Sequence, residues 1–270
     1  MNRLEEISAK LHLMRQVLAE TGTAAVRLRG TDWFAWATAG GSSTVLLTAA
    51  TGVAEVLVTA TDAWVLTDEI EAQRLQDEQL PEADTSPYKL VVSPWADSAK
   101  RELFVSEATK GEKVLSDQPI GAFHDRATQT EFPLPESLLH YRRILLTGEV
   151  ERYRQVGQLA SQAMTEVLTQ AQPTWTEYQL AGAGAEALWA RGLHPVLTLA
   201  AGDRRLPLYR HPLPSRETLG REAMLVFCAR GYGLIVSLTR FVCFGDLSDE
   251  AQKRHRAIAE IETVALNHSQ

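Results

Sequence analysis

The stretch AMLVFCARGYGLIVSLTRFVCFG, residues 223–245, gathers side chains from which chemistry could be built: the thiols of Cys228 and Cys243, the hydroxyl of Ser237, and the Thr239–Arg240 pair. It reads as two apolar strands around a Gly-Tyr-Gly turn. Between Glu222 and Asp246 it holds no carboxylate and no histidine. A nucleophile at Cys228 or Ser237 would need a nearby base, and His211 is the only plausible one. Nothing in the sequence activates a thiol set in an apolar strand. The two cysteines therefore read first as buried free thiols, and only second as a disulfide or a metal pair.

A second candidate lies just upstream. Arg204, Arg205, Arg210, His211 and Arg216 crowd a three-proline loop, and with Arg240 they would suit a carboxylate or phosphate. The plainer reading is solvated loop arginines plus one structural Arg240, which needs a partner if it is buried. The sequence contains no G-x-G-x-x-G, Walker A loop, H-E-x-x-H, C-x-x-C pair or G-x-S-x-G elbow. AGAGAEA, residues 181–187, sits inside a helical register and reads as a close helix contact, not a phosphate cradle.

These residues need a scaffold, and hydrophobic spacing predicts one. Residues 2–20 form an amphipathic helix, followed by a strand at 24–30 in which Val26 and Leu28 alternate with Arg27 and Arg29. Short strands follow at 44–49, 54–60 and 63–68, then a charged helix at 68–79 and a strand at 88–95. A helix capped by Asp97 runs to about Val105, and a last strand covers 113–117. That order gives a mixed-sheet α/β domain. Residues 124–137, polar and carrying two prolines, read as a linker. A long helix spans about 147–170, and Thr174 with Glu177 forms a capping box opening a helix at 175–191. A strand at 195–202, the proline loop, the hairpin and a helix at 247–268 complete the chain. The expected domains are 1–140 and 141–270.

Composition excludes some roles. With 270 residues, 45% hydrophobic and 23% charged, the chain is of ordinary globular composition. A net charge of -7 argues against non-specific nucleic-acid binding. No run approaches the roughly 18 apolar residues of a membrane span. The charged N-terminus lacks the apolar core of a signal peptide, so a cytoplasmic location is expected.

The second half also carries a resemblance. EVERYRQVGQLASQAM on the long helix, PTWTE, the RHPLPS loop and the hairpin ending LTRFVCFG together resemble the creatinase / Xaa-Pro aminopeptidase / prolidase family, the M24 pita-bread metallopeptidases. The resemblance implies a creatinase-type N-terminal α/β domain followed by a pita-bread α+β domain, here about half of one. His211 and Pro214 match that family's H-Y-x-P-[TS] loop, which makes His211 a substrate-pocket candidate, with Arg210 and Arg240 beside it. The plain alternative for His211 is a loop histidine bonded to backbone.

The same resemblance implies two hairpin aspartates that bind Mn, Zn or Co. Here Ser237 stands at the second position, and Phe227 or Cys228 at the first. The family's remaining ligands, a His and two Glu, would come from a second half of the catalytic domain that this sequence is expected to lack. Glu260 and Glu262 read as surface charge. The implied protein has no catalytic residues and no metal or other cofactor, and acts in binding or assembly. A homo-oligomer through the exposed half-domain sheet is expected, with a small anionic or peptide ligand possible. An active metal-dependent Xaa-Pro peptidase is the alternative.

Overall fold

The computed structural model describes residues 1–120 and 130–269, and it divides into two compact units. The first comprises Met1–Gly157 with Arg230–Ile235, and the second comprises Gln158–Ala229 with Val236–Gln270.

The first unit is built on a six-stranded mixed sheet. Its strands are β1 (Ala25–Gly30), β2 (Thr51–Thr59), β3 (Ala63–Asp68), β4 (Lys89–Ser93), β5 (Val114–Ser116) and β6 (Glu131–Pro133), in the order β4-β3-β2-β1-β5-β6. β1, β2 and β3 pair antiparallel, whereas β4, β5 and β6 join in parallel. Helix α1 (Arg3–Thr21) places Ile7, Leu11, Met14, Val17 and Leu18 against Val26, Leu28, Val56, Val58 and Val65. The opposite parity of the same strands, Ala25, Leu57 and Leu66, packs with Val105 of α4 (Ser98–Thr109). Strand alternation thus serves two apolar layers, the arrangement expected when helices cover both faces.

Several expectations are corrected here. Residues 44–49 form no strand: Val45 and Leu46 are exposed, and the strand expected at 54–60 forms as β2, starting earlier, at Thr51. TDWFAWA instead folds as α2 (Thr31–Ala37), whose Trp33, Phe34 and Trp36 enter the core. The charged helix shrinks to α3 (Ala72–Arg74) and a π-helical turn, Leu75–Gln79. Residues 124–129 of the expected linker lie outside the described residues. From Glu131 onward the linker reading fails, because β6 closes the sheet and α5 (Glu136–Arg143) follows.

Arg27 and Arg29 do not face water; both are buried. Arg27 Nε donates to Glu55 at 2.6 Å, and its Nη atoms donate to Glu102 at 2.6 Å and Glu131 at 3.2 Å. Arg29 reaches Glu131 at 2.5 Å. The short strand β6 therefore delivers a carboxylate shared by two buried guanidinium groups, adding to the pairs both make with Glu55.

The second unit holds a three-stranded sheet, β7 (His194–Gly202), β8 (Glu222–Gly231) and β9 (Leu234–Cys243), in that order. Helix α6 (Thr147–Gln170) begins in the first unit and continues through the second. α7 (Glu177–Trp189) and α8 (Asp249–Asn267) complete it. Among the described residues, no helix is long and apolar enough to cross a membrane.

Candidate functional site

The hairpin turns on Tyr232 and Gly233, with φ of 55° and 75°. Two successive positive φ angles define a type I′ turn, whose twist matches that of paired strands. A two-residue turn sets Cys228 opposite Ser237, and Cys228 Sγ lies 3.3 Å from Ser237 Oγ. Alternation then sorts the side chains. Ala223, Leu225, Phe227 and Ala229 are buried, whereas Met224, Val226, Cys228 and Arg230 are only partly so.

Phe227 is therefore on the helix-packed face. A Cβ at Gly184 would lie 2.8 Å from the Phe227 ring, so the small residue in AGAGAEA makes room for it. Cys228 and Ser237 share the other, open face. Cys243 is partly exposed and, like Cys228, a free thiol.

Arg240 has the parity opposite to Ser237 and leaves that open face. It bonds α6 through Ser161 O at 3.4 Å, Ser161 Oγ at 3.0 Å and Thr165 Oγ1 at 3.1 Å. The partner that a strand arginine needs is a helix, not a ligand. Arg210 and His211 are exposed on the proline loop. The arginines of that loop do not converge. Arg204 pairs with Glu217 at 2.9 Å, and Arg205 is drawn inward onto Glu177. The structure brings Cys228 and Ser237 together, but it does not join Arg240 to them.

Glu177 is the residue that sequence reasoning misplaced. The capping box is formed by Thr176 with Gln179, two residues later than Thr174 with Glu177. Glu177, the first helical residue, is fully buried and serves the loop instead. Gly202 N–H donates to its Oε1 at 3.0 Å. Its Oε2 accepts from Ser215 N at 2.9 Å, Ser215 Oγ at 2.6 Å and Arg205 Nη1. A buried carboxylate at a helix start is favoured by the free amides there and held by this charged partner. It fixes both ends of the segment that presents Arg210 and His211. The only sequence signal was a Glu one residue past a better cap.

In the first unit, a cavity of about 350 Å³ is lined by Asp32, Trp36, Arg142, Arg152 and Tyr232, among others. Its charges are already matched: Arg142 with Asp32 at 2.6 Å, Arg152 with Glu6 at 2.6 Å, and Glu149 with Lys10 at 3.0 Å. Arg152 and the buried Lys10 outweigh the effect of burial on Glu6 and hold its carboxyl below the usual range.

The metal implied by the resemblance can be tested against these donors. A thiol and a hydroxyl in mutual contact supply one soft ligand and one weak one, unlike the hard carboxylate oxygens that a divalent pair requires. Among the described residues, no group of three or more His, Cys, Asp or Glu is placed to hold a metal ion. The residues present do not fit the group.

The fold is the α/β domain plus partial pita-bread arrangement of proline-directed peptidases. The X-Pro aminopeptidase of Thermotoga maritima matches with TM-score 0.70 at 18% identity, over 93% of this chain and 69% of that one. The prolidase of Pyrococcus horikoshii gives 0.73 at 15%, over 95% and 71%. The N-terminal domain of FACT complex subunit SPT16 from chickpea gives 0.58 at 10%, over 89% and 67%. Residues 151–269 match the model of metallopeptidase family M24. No curated protein matches the chain.

Proposed function

We propose that this protein is a peptidase relative that works by binding or assembly and has no metallopeptidase activity. The observation that carries the reading is the Cys228–Ser237 contact at 3.3 Å, in which Ser237 stands at the second aspartate position implied by the resemblance and Cys228, one of two candidates for the first, faces it across the hairpin. Further residues could add ligands from elsewhere, but not carboxylates at these two positions. That the same fold occurs in a complex subunit, SPT16, supports a role outside hydrolysis. The ligand surface proposed is the exposed loop segment around Arg210 and His211, held by Glu177, with chemistry suited to a small anionic or peptide group.

The match of residues 151–269 to a metallopeptidase family favours the second reading, an active Xaa-Pro peptidase. One experiment separates the two. The protein is incubated with Mn²⁺ or Zn²⁺ and desalted, and its metal content and hydrolysis of Xaa-Pro dipeptides are measured. The expected result is substoichiometric metal and no turnover. Stoichiometric metal with turnover overturns the proposal.

A further inference from the structure

Three helices each turn one face toward the cavity of about 350 Å³ in the first unit. Asp32, Ala35 and Trp36 lie three and four residues apart on α2, and so do Leu139, Arg142 and Arg143 on α5. Glu149 and Arg152 sit three apart at the start of α6. Side chains so spaced share a face, one turn above the other. The hairpin turn adds Tyr232, Gly233 and Leu234. A volume of this size falls within the range of small-molecule sites, which join apolar walls to a few placed polar groups.

The ion pairs here spend the carboxylates but not the cations. Glu149 is buried, with one oxygen on Lys10 at 3.0 Å and the other accepting from Leu146 N at 3.0 Å. Asp32 is taken by Arg142, and Glu6 by Arg152 and Lys10. Arg152 gives both Nη atoms to Glu6, while its buried Nε has no partner among the described residues. Arg142 uses Nη2 on Asp32 and lies 4.2 Å over the Trp33 ring, with no other side-chain hydrogen bond among the described residues. Arg143 reaches Glu136 in an exposed pair, which is worth little. Arg230, two residues before Tyr232, has a guanidinium without hydrogen bond or ion pair among the described residues. Burial lowers its pKa, and the charge of Asp32 opposes that.

Beside these donors stand Trp36, Leu139, Leu145 and Leu234, which offer nothing to an inorganic ion. We propose that the cavity binds a small organic acid. Its carboxylate is received by Arg142 and Arg152, and its aromatic or branched apolar body lies against Trp36 and the three leucines. This site is built from residues other than the Cys228–Ser237 pair, so peptidase turnover, present or absent, leaves it untouched.

Phenylacetate and isovalerate are the probes, titrated by calorimetry into the 270-residue chain, with phenethyl alcohol, phenethylamine and inorganic phosphate for comparison. The expected result is one acid per chain, with phenylacetate bound at least about tenfold more tightly than the alcohol or the amine and not displaced by phosphate. Amide shifts in NMR spectra should fall at 32–36, 139–152 and 232–234. Arg142→Gln should weaken phenylacetate at least about tenfold. Leu145→Trp fills the cavity from a side chain already 41% exposed, and should abolish binding with unchanged circular dichroism. Where either substitution unfolds the protein, the wild-type spectra decide. Binding of the alcohol or the amine as tight as that of the acid overturns the proposal. So do displacement by phosphate, shifts confined to other residues, or no binding of either acid at millimolar concentration.

Discussion

At Cys228 and Ser237, a single pair of side chains decides what chemistry the hairpin can support. Their 3.3 Å contact is comfortable for a thiol and a hydroxyl. Two carboxylates in the same places would repel across the strands unless a cation lay between them. The double variant Cys228→Asp with Ser237→Asp should therefore lose stability without metal and regain part of it with millimolar Mn²⁺. Wild type should show no such response. Thermal unfolding with and without Mn²⁺ reads this directly, and a double variant indifferent to Mn²⁺ would mean that the two positions do not form a shared cation site. Glu177 makes a second residue-scale case. Its Oε2 holds Ser215 and Arg205, so Glu177→Gln leaves a guanidinium without its ion pair. The expected cost is about 2–3 kcal/mol, measured by urea unfolding, with faster amide exchange at 203–215 than in wild type.

Elements were legible where one period dominated. Helices α1 and α6 carry long apolar spacings, and the hairpin combines two apolar runs with a Tyr-Gly turn, so their places followed from the residues. The exceptions have separate physical causes. Residues 44–49 have strand composition but no neighbour to bury them, and propensity alone forms no strand. TDWFAWA is too short and too apolar all round to show a helical face. β6 has three residues, and it is held through the demand of Arg27 and Arg29 for Glu131, a tertiary fact. At the candidate site, the sequence reading grouped Arg240 with the pocket although strand alternation sets it on the face opposite Ser237, and the resemblance alone could not decide between Phe227 and Cys228. The turn itself is testable. Gly233 has φ of 75°, and a Cβ there would run into that of Ala35. Gly233→Ala should cost more than about 1 kcal/mol, whereas Tyr232→Asn should be neutral or better, because Asn tolerates the left-handed region. Equal urea midpoints for the two variants would contradict the type I′ assignment.

Across the molecule, ionic burial concentrates in the first unit, and this sets how its stability follows pH. Burial alone would raise the Glu55 carboxyl, but Arg27, Arg29 and Arg101 outweigh it and hold it below the usual range. Glu6 is lowered in the same way by Arg152 and Lys10. For a depressed carboxyl, the stabilisation is complete above the unfolded value of about 4.3 and is lost as pH falls through the folded value. Asp117 runs the other way. Burial raises it above the usual range although Arg29 N and Gly30 N donate to it, so its contribution falls as pH rises through the folded value. Two buried carboxyls lowered against one raised, with the exposed Asp62 and Glu217 also lowered by Lys89 and Arg204, predict a net loss of stability below about pH 4.3. The fluorescence of Trp64, stacked edge-on against Phe104 at 5.6 Å beside this cluster, should report it. Arg27→Met removes the central cation but leaves Arg29 and Arg101. The expected result is a loss of about 3 kcal/mol at pH 7 and an acid limb that begins at higher pH, since Glu55 is then less depressed. If wild type and Arg27→Met showed parallel pH profiles, the guanidinium would not be what holds Glu55 ionised, and the acid sensitivity would have to come from the Glu6 cluster instead.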